Sequence, residues 1–105
     1  MIFGMEYKFG DIILAEVQFT DTFEIKTRPA LVLFEEMRNI VVAGITSNLK
    51  MKGIQITKKE GIPKDSIIKI NYIFTISEKM AKRFICSVSN EKKEIVKQEL
   101  IKRLN

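Results

Sequence analysis

Two polar sites beside apolar runs are the places in this chain best suited to chemistry. Arg28 directly precedes a proline and the apolar run Ala30–Phe34, and a proline favours an extended backbone for the residue before it. Thr46 and Ser47 follow a second apolar run, Ile40–Ile45. Both runs are too short for typical helices and predict buried strands, with Arg28 at the mouth of the first. If the strands pair, the guanidinium and the hydroxyl groups meet at one rim of the sheet, and we predict the active site there.

The length and composition predict one compact domain that spans residues 1–105. The sequence has 105 residues, of which 46% are hydrophobic, which is enough for a single core. It has no run of about eighteen apolar residues, so we expect no membrane span. The first residues do not resemble a secretory signal. Cys86 is the only cysteine and lies in an apolar strand, where we assign it to the core. These features favour a cytoplasmic protein.

The charge balance and the missing histidine narrow the classes of chemistry. Lys and Arg outnumber Asp and Glu by 18 to 13. This excess suits a polyanionic partner such as nucleic acid or an acidic protein, although it also serves solubility alone. The chain contains no histidine, the commonest general acid–base and metal ligand. A histidine-based nuclease and an ordinary zinc site are therefore excluded, and without a carboxylate cluster at ligand spacing we expect no metal and no other cofactor.

The elements that position these residues are mostly short strands. Apolar runs and alternation predict strands at Ile12–Phe19, Arg28–Phe34, Ile40–Ile45, Ile54–Ile56, Ser66–Phe74 and Phe84–Val88. The tight polar connection Glu35–Asn39 predicts an antiparallel hairpin, and Thr75–Arg83 predicts a helical turn with Ser77 as its cap. A final helix should begin at Ser89 or Asn90. Many short strands followed by one helix predict a mainly β, barrel-like fold with a C-terminal helix packed on it.

Side-chain alternation assigns faces to two of these elements. In the strand Ser66–Phe74, alternate residues from Ile68 to Phe74 form the core face, and Lys69 and Asn71 lie side by side on a polar surface. The final helix carries one apolar stripe, which consists of Ile95, Val96, Leu100, Ile101 and Leu104.

Several segments of the chain, taken in order, match one known family. They are Gly10–Leu14, Thr27–Leu33, Val42–Ser47, Asp65–Ile68 and Ile73–Ile76, followed by the helix after Val88–Ser89. With these segments the chain resembles the MazF/PemK family of toxin endoribonucleases from toxin–antitoxin modules. The resemblance covers nearly the whole chain, at nearly the family's spacing. No single segment is specific, and the ordered set carries the assignment.

The resemblance implies a small SH3-like (CcdB/PemK-like) β-barrel with a C-terminal α-helix, which forms a homodimer and binds RNA along the dimer interface. It implies metal-independent, sequence-specific cleavage of single-stranded RNA by attack of a ribose 2′-hydroxyl, leaving a 2′,3′-cyclic phosphate and a 5′-hydroxyl. It also implies a cognate antitoxin protein whose disordered C-terminal part wraps the toxin and blocks the site. DNA binding through that complex is compatible with the resemblance.

Arg28 falls on the family's active-site arginine, and Thr46 falls on its active-site threonine or serine. Attack on the phosphate builds negative charge on phosphorane oxygens, and a guanidinium donates two parallel hydrogen bonds to such oxygens. We expect Arg28 to stabilise this charge, because arginine essentially never loses its proton. Thr46, with Ser47 beside it, could hold the phosphate or orient the 2′-hydroxyl. The structural alternatives are an ion pair of Arg28 with Glu24 or Asp21, and a hydrogen bond of Thr46 in a turn.

The chain departs from the family at Lys69 and Asn71, where some members carry a catalytic arginine and an acidic residue. Lys69 still attracts a phosphate. Asn71 cannot accept a proton as a carboxylate does, and could contact a base edge instead; otherwise both belong to a solvated strand face. Glu24 is the best remaining candidate for a general base, because some relatives have a glutamate nearby. Tyr72 and Phe74 could stack unpaired bases, but their phase favours core packing.

Six loop residues are further candidates for RNA contacts. They are Thr20, Asp21, Lys50, Lys52, Lys58 and Lys59. The first two begin the loop that lies over the substrate groove in the family. The lysines could bind phosphates outside the scissile bond, or could form an ordinary solvated surface.

Two alternatives to an RNA-cleaving toxin remain at this point. One is a non-catalytic SH3-like module of the same family that binds RNA or an antitoxin, which Asn71 and the missing histidine motivate. The other is a protein-targeting toxin of the same fold that resembles the gyrase poison CcdB, against which the Arg28 and Thr46 segments argue. A cleavage assay separates the first alternative from the leading hypothesis.

Overall fold

The computed structural model describes residues 6–18 and 24–105, which are folded mainly as strands. The strands are β1 (Asp11–Gln18), β2 (Ile25–Glu36), β3 (Asn39–Thr46), β4 (Ile54–Ile56), β5 (Ser66–Ser77) and β6 (Ala81–Ser87). A single α-helix in this part of the chain, α1, covers Asn90–Leu104, and two 3₁₀ turns cover Lys58–Glu60 and Glu78–Met80. Thr20 and Asp21, two of the candidate RNA contacts, lie outside the described residues.

The six strands form one antiparallel sheet with the order β4-β5-β3-β2-β1-β6. The sheet curls into a half-barrel, and α1 follows the last strand. The short strand predicted at Ile54–Ile56 is present at one edge of the sheet as β4. The prediction of a mainly β, barrel-like fold with a C-terminal helix is confirmed.

β2 and β3 form the antiparallel hairpin that the polar connection predicted. Met37 and Arg38 in its turn have φ angles of 51° and 67°, as in the two-residue turns that suit twisted strands. β2 begins at Ile25, because its pairing with β1 continues to that residue. The prediction that Arg28 stands at the mouth of the strand is therefore wrong. Arg28 lies within β2, opposite Ala15, with its side chain exposed.

Pro29 marks the point where β2 loses one of its two neighbouring strands. The last β2–β3 pair is Ala30 with Gly44, whereas pairing with β1 continues through Pro29 to Ile25. Proline has no N–H to donate to a ladder, so it suits a position where a strand has a free edge. The sheet therefore opens between the first half of β2 and the end of β3.

β5 contains an interruption in its pairing with β3. Ala43 pairs with Ile73, but the next residue, Gly44, pairs with Lys69. Residues 70–72 therefore have no partner in β3, which is the geometry of an extended β-bulge. Because side chains alternate with a period of two, an odd number of extra residues reverses the faces of the strand beyond it.

Because of this reversal, the residues that were predicted to share one face of β5 lie on two different faces. Ile68 and Ile70 belong to one buried cluster, whereas Ile76 belongs to the other and Phe74 packs against it. The prediction that Ile68, Ile70, Tyr72 and Phe74 share one core face is therefore wrong. Simple alternation cannot show an interruption that arises from pairing with a distant strand.

The core consists of two buried clusters on opposite faces of the sheet. The first contains Ile12, Leu31, Ala43, Ile45, Ile56, Ile62, Ile68, Ile70, Val88 and Val96. The second contains Ile13, Ala15, Ala30, Val32, Ile40, Val42 and Ile76. Alternate residues of β1, β2 and β3 enter each cluster, as expected for strands buried on both faces. The predicted buried strands are confirmed, and Cys86 packs against the first cluster as predicted.

α1 begins where the sequence predicted, with Ser89 as its N-cap. The Ser89 hydroxyl oxygen accepts a hydrogen bond from the Lys92 N–H at 3.1 Å, which satisfies one of the free donors of the first turn. The predicted apolar stripe is buried only in part, because the helix rests on the sheet mainly through Val96 and Leu100; Leu104 is 84% exposed. No helix in the described part of the chain is long and apolar enough to cross a membrane.

The helical turn predicted over Thr75–Arg83 is mostly strand. β5 continues to Ser77, because Ile76 pairs with Ile40 and is buried in the second cluster. Only Glu78–Met80 form a 3₁₀ turn before β6 begins. Ser77 stands at the cap position of that turn, but its side chain makes no capping hydrogen bond.

Candidate active site

A cleft of about 700 Å³ opens where β2 and β3 part, and this volume is typical of ligand-binding pockets. Four of the predicted catalytic or phosphate-binding residues line it, namely Arg28, Thr46, Ser47 and Lys69. The remaining lining is mostly apolar and consists of Leu14, Val17, Pro29, Gly44, Ile45, Met51, Ile62, Pro63, Lys64, Ser66, Tyr72 and Phe74. Charged and hydroxyl groups thus border a largely apolar floor.

The strand register explains why three of these polar residues share one cleft. Ala30, Gly44 and Lys69 lie side by side on three neighbouring strands, which are about 4.8 Å apart. Arg28 and Thr46 each lie two residues beyond Ala30 and Gly44, toward the same end of the hairpin. Because every second side chain of a strand points to the same face, Arg28 and Thr46 project from the face that carries Lys69. A guanidinium, an ammonium group and a hydroxyl therefore border one opening.

The Arg28 side chain is available to a ligand within the described structure. Among residues 6–18 and 24–105 it forms no ion pair, and Glu24, one of its alternative partners, contacts Lys26 with a nitrogen–oxygen distance of 3.5 Å. Asp21, the other alternative, is not among those residues. The exposed guanidinium can thus present its fork of N–H donors to a bidentate oxyanion such as a phosphate.

The Thr46 hydroxyl serves both a turn and the cleft. Its oxygen accepts a hydrogen bond from the Asn48 N–H at 3.1 Å, and the Asn48 side-chain oxygen in turn accepts one from the Lys50 N–H at 3.1 Å. The turn role that we considered as an alternative is therefore present. It uses the oxygen only as an acceptor, so the hydroxyl proton can still be donated to a ligand oxygen. The turn holds Thr46 in place at the cleft.

Lys64 is a cation of the cleft that the sequence analysis did not single out. Its position is fixed by the burial of Ile62, which is 3% exposed, and by Ser66, whose hydroxyl donates to the Lys64 carbonyl at 2.8 Å. Asp65 accepts a hydrogen bond from the Lys58 N–H at 2.9 Å and closes the loop. The only signal in the sequence was the place of Lys64 in a basic loop with turn residues.

Tyr72 lines the cleft although its phase in β5 predicted a core position. The side chain is 43% exposed, and its ring centroid lies 5.1 Å from that of Phe74. Phe74 also lines the cleft, but it is partly buried against the second cluster. The core prediction is therefore wrong for Tyr72 and correct in part for Phe74. The interruption in β5 is the reason, since it changes the phase between Ile70 and Phe74.

The described structure does not bring six of the other candidates into the cleft lining. They are Glu24, Asn71, Lys50, Lys52, Lys58 and Lys59. Asn71 is exposed within the interruption of β5, while Lys69 faces the cleft, so the two do not form the predicted polar surface. The turn that carries Lys58 is held to α1 by an ion pair between Glu60 and Lys92 at 3.3 Å. RNA contacts of these loop lysines stay predictions.

Other catalytic groups are sparse in the described parts of the chain. Residues 6–18 and 24–105 contain no cluster of three or more Cys, Asp or Glu side chains that could hold a metal ion. Burial, with a smaller contribution from Glu60, raises the pKa of the Cys86 thiol. A thiol with a raised pKa is mostly protonated at neutral pH, which makes Cys86 a weak nucleophile.

Comparison with known proteins identifies related folds. Among curated proteins, no sequence matches this chain. The Mycobacterium tuberculosis toxin MazF-mt6 has a TM-score of 0.70 and 23% identity over 89% of this chain and 93% of its own. The MazE–MazF (Form-II) structure from Deinococcus radiodurans includes a chain with a TM-score of 0.75 and 14% identity, over 96% of this chain and 97% of its own. At these identities the likeness establishes the fold.

The family of this chain is identified from its sequence. The family model described as "PemK-like, MazF-like toxin of type II toxin-antitoxin system" matches residues 8–104. This range includes both apolar runs, every residue that lines the cleft, and α1. The resemblance on which the sequence analysis relied is thereby confirmed, and the chain belongs to the PemK-like, MazF-like toxin family of type II toxin–antitoxin systems.

Proposed function

We propose that this protein is an endoribonuclease toxin that cleaves single-stranded RNA in the cleft between β2, β3 and β5. The main observation behind the proposal is that one opening is lined by Arg28, Thr46 and Lys69. Membership of the toxin family supports it. The place of action that goes with this function is the cytoplasm, where messenger RNA is found.

The proposed reaction is an internal transesterification. The ribose 2′-oxygen forms a bond to the neighbouring phosphorus, the bond from phosphorus to the 5′-oxygen breaks, and the products carry a 2′,3′-cyclic phosphate and a 5′-hydroxyl. Arg28 donates hydrogen bonds to the oxygens on which negative charge develops, and Lys69 adds a second positive charge. Thr46 donates one hydrogen bond to the phosphate or positions the 2′-hydroxyl. The 2′-hydroxyl proton passes to a base, for which Glu24 is the candidate although it lies outside the described lining of the cleft, and the 5′-oxygen takes up a proton.

A non-catalytic RNA-binding module is the second candidate function. It is motivated by the lining of the cleft, because the described lining residues include no carboxylate that could act as the base. Both candidates require single-stranded RNA in the cleft. They differ in whether RNA ends appear, so a cleavage assay decides between them.

We further propose that an acidic segment of a cognate antitoxin competes with RNA for this cleft. The net charge of +5 and the cations Arg28, Lys64 and Lys69 at the opening support an anionic occupant. The MazE–MazF structure of Deinococcus radiodurans, whose fold is shared, supports a protein partner.

We also propose that this protein forms a homodimer. Sedimentation at micromolar concentration should give a species of twice the chain mass, and a strict monomer would contradict a groove shared by two copies.

RNA cleavage should persist in the presence of a chelator. The proposed chemistry relies on a guanidinium and an ammonium group, and the chain offers no histidine and no described carboxylate cluster for a metal-bound water. The measurement is sequencing of RNA ends after incubation of mixed-sequence RNA with the purified protein in EDTA. A preparation of the Arg28→Ala variant controls for contaminating ribonucleases. An obligatory need for magnesium or manganese would contradict the mechanism, and the absence of any cleavage by the natural chain would favour the binding module.

A further inference from the structure

We propose that Tyr72 is a stacking platform for one unpaired RNA base, directly beside the phosphate position of the cleft. The proposal rests on RNA being the ligand, as proposed above, and adds a binding residue to that site. It assigns Tyr72 to affinity for single strands and leaves the chemistry to Arg28 and Thr46.

The first observation is the place and exposure of the ring. Tyr72 is 43% exposed and lines the same cleft as Arg28, Thr46 and Lys69. Along β5, Tyr72 has the same phase as Phe74 and Ile76, which pack against or within the second cluster. The interruption at residues 70–72 leaves Tyr72 without a pairing partner in β3, and its ring stays exposed at the cleft instead of entering that cluster. The regular hydrogen bonds between β5 and β3 are thus absent at the point where the ring enters the cleft.

The second observation is that the backbone of β3 holds the ring from behind. A side-chain carbon added to Gly44 would lie 2.6 Å from the Tyr72 Cδ2 atom and 3.2 Å from Cε2. Only a glycine therefore lets the ring approach β3 this closely. Phe74 supports the ring from a second side, with a centroid distance of 5.1 Å and an interplanar angle of 40°. A ring that is supported in this way loses little freedom when a ligand stacks on it.

The third observation is the position of the ring relative to the cations. Lys69 pairs directly with Gly44, the residue against which Tyr72 rests, so an aromatic ring and a lysine side chain border the same part of the cleft. A nucleotide has the same two parts, a flat base and a phosphate. Aromatic side chains bind unpaired bases by stacking, whereas the bases of a duplex have both faces covered. The pair of Tyr72 and Lys69 therefore fits one nucleotide of a single strand, and the stacking itself does not select a base type.

The first experiment reads the environment of the ring without any cleavage. The chain contains no tryptophan, so Tyr72→Trp introduces the only tryptophan, at the cleft. The probe is a 2′-O-methyl oligonucleotide of about eight nucleotides, which lacks the attacking hydroxyl, and its control is an abasic oligomer with the same number of phosphates. We expect the intact probe to quench the tryptophan emission and the abasic oligomer to leave it nearly unchanged.

A matched variant tests whether the response is local. Phe84→Trp places the fluorophore on β6 at a side chain that is 45% exposed and does not line the cleft. Its emission should not respond to either oligomer. Equal quenching of the Tyr72→Trp protein by the intact and abasic oligomers would overturn the stacking proposal, because phosphate binding alone would then explain the signal. Equal quenching of the two variants would overturn it as well.

The second experiment measures affinity for the same uncleavable probe. Tyr72→Leu keeps an apolar side chain but removes the ring, and should raise the Kd about fivefold to more than a hundredfold. Tyr72→Phe should stay within about twofold of the natural chain, because the ring is retained. Gly44→Ala should raise the Kd as well, since the added carbon displaces the ring. Circular dichroism checks that each variant folds. An unchanged Kd for folded Tyr72→Leu protein would overturn the proposal.

The outcomes separate this inference from the proposed function. Because the probe cannot be cleaved, a ring-dependent affinity together with no cleavage of ordinary RNA would overturn the endoribonuclease and leave the stacking platform intact. Cleavage of ordinary RNA together with an affinity that does not depend on the ring would overturn the stacking platform and leave the endoribonuclease intact.

Discussion

Arg28→Ala should lower the single-turnover cleavage rate at saturating RNA by a factor of about a hundred to a thousand. Loss of one preorganised donor to a developing oxyanion typically has an effect of this size. In the proposed reaction the guanidinium faces a charge that exists fully only in the transition state, so its loss should reduce the rate more than the affinity. The side chain is exposed and has no ion-pair partner in residues 6–18 and 24–105, so its removal should leave the fold intact.

The matched control for this variant is Arg83→Ala. Arg83 is an exposed arginine on β6 that does not line the cleft, so its change removes the same charge elsewhere on the surface and should leave the rate nearly unaltered. The cleavage rate of the Thr46→Ala protein should lie between the rates of the Arg28→Ala and Arg83→Ala proteins, because a hydroxyl supplies one neutral hydrogen bond. The measurement is cleavage of a fluorescent RNA with enzyme in excess, with circular dichroism as the folding control. If Arg28→Ala protein cleaves at the natural rate, the reacting phosphate does not lie at Arg28.

The hairpin that carries Arg28 and Thr46 could be predicted because its determinants are local. Each residue borders an apolar run that is buried on both faces, and the connection between the runs is short and polar. Antiparallel pairing of two such strands brings the flanking residues to one end, whatever the rest of the chain does. The proline after Arg28 adds a second local cause, because it ends the β2–β3 ladder at the position where the cleft opens.

The part of the site on β5 could not be predicted, because its determinant is a long-range pairing. The strand was correctly located, but the interruption at residues 70–72 depends on how β5 meets both β3 and β4. An alternating sequence contains no mark of such an interruption, so it predicts Tyr72 in the core and Asn71 beside Lys69. Lys64 was missed for a related reason. Its position follows from the burial of Ile62 and the hydroxyl of Ser66, whereas charge alone made all the loop lysines look alike.

An RNA in which the ribose before the cleaved bond is replaced by 2′-deoxyribose should not be cleaved at that bond. The bond is first located by sequencing the ends of an all-ribose substrate. The substituted RNA should bind with a Kd within about twofold of the all-ribose value, because a hydroxyl contributes little to affinity when phosphates and stacking dominate. Cleavage should disappear because the attacking atom is missing, which makes this the largest effect that we expect.

The same substrate pair distinguishes internal attack from attack by water. An enzyme that activates water does not need the 2′-hydroxyl, and it leaves a linear phosphate on one product. Internal attack needs that hydroxyl and leaves the 2′,3′-cyclic phosphate, which mass spectrometry of the products identifies. The described lining of the cleft has cations and hydroxyls but no carboxylate and no metal cluster, and such groups suit the stabilisation of negative charge better than the activation of water. Cleavage of the deoxy-substituted RNA at the natural rate would therefore contradict the assignment of Arg28 and Thr46 to a transesterification, and would require a base that activates water within reach of the phosphate.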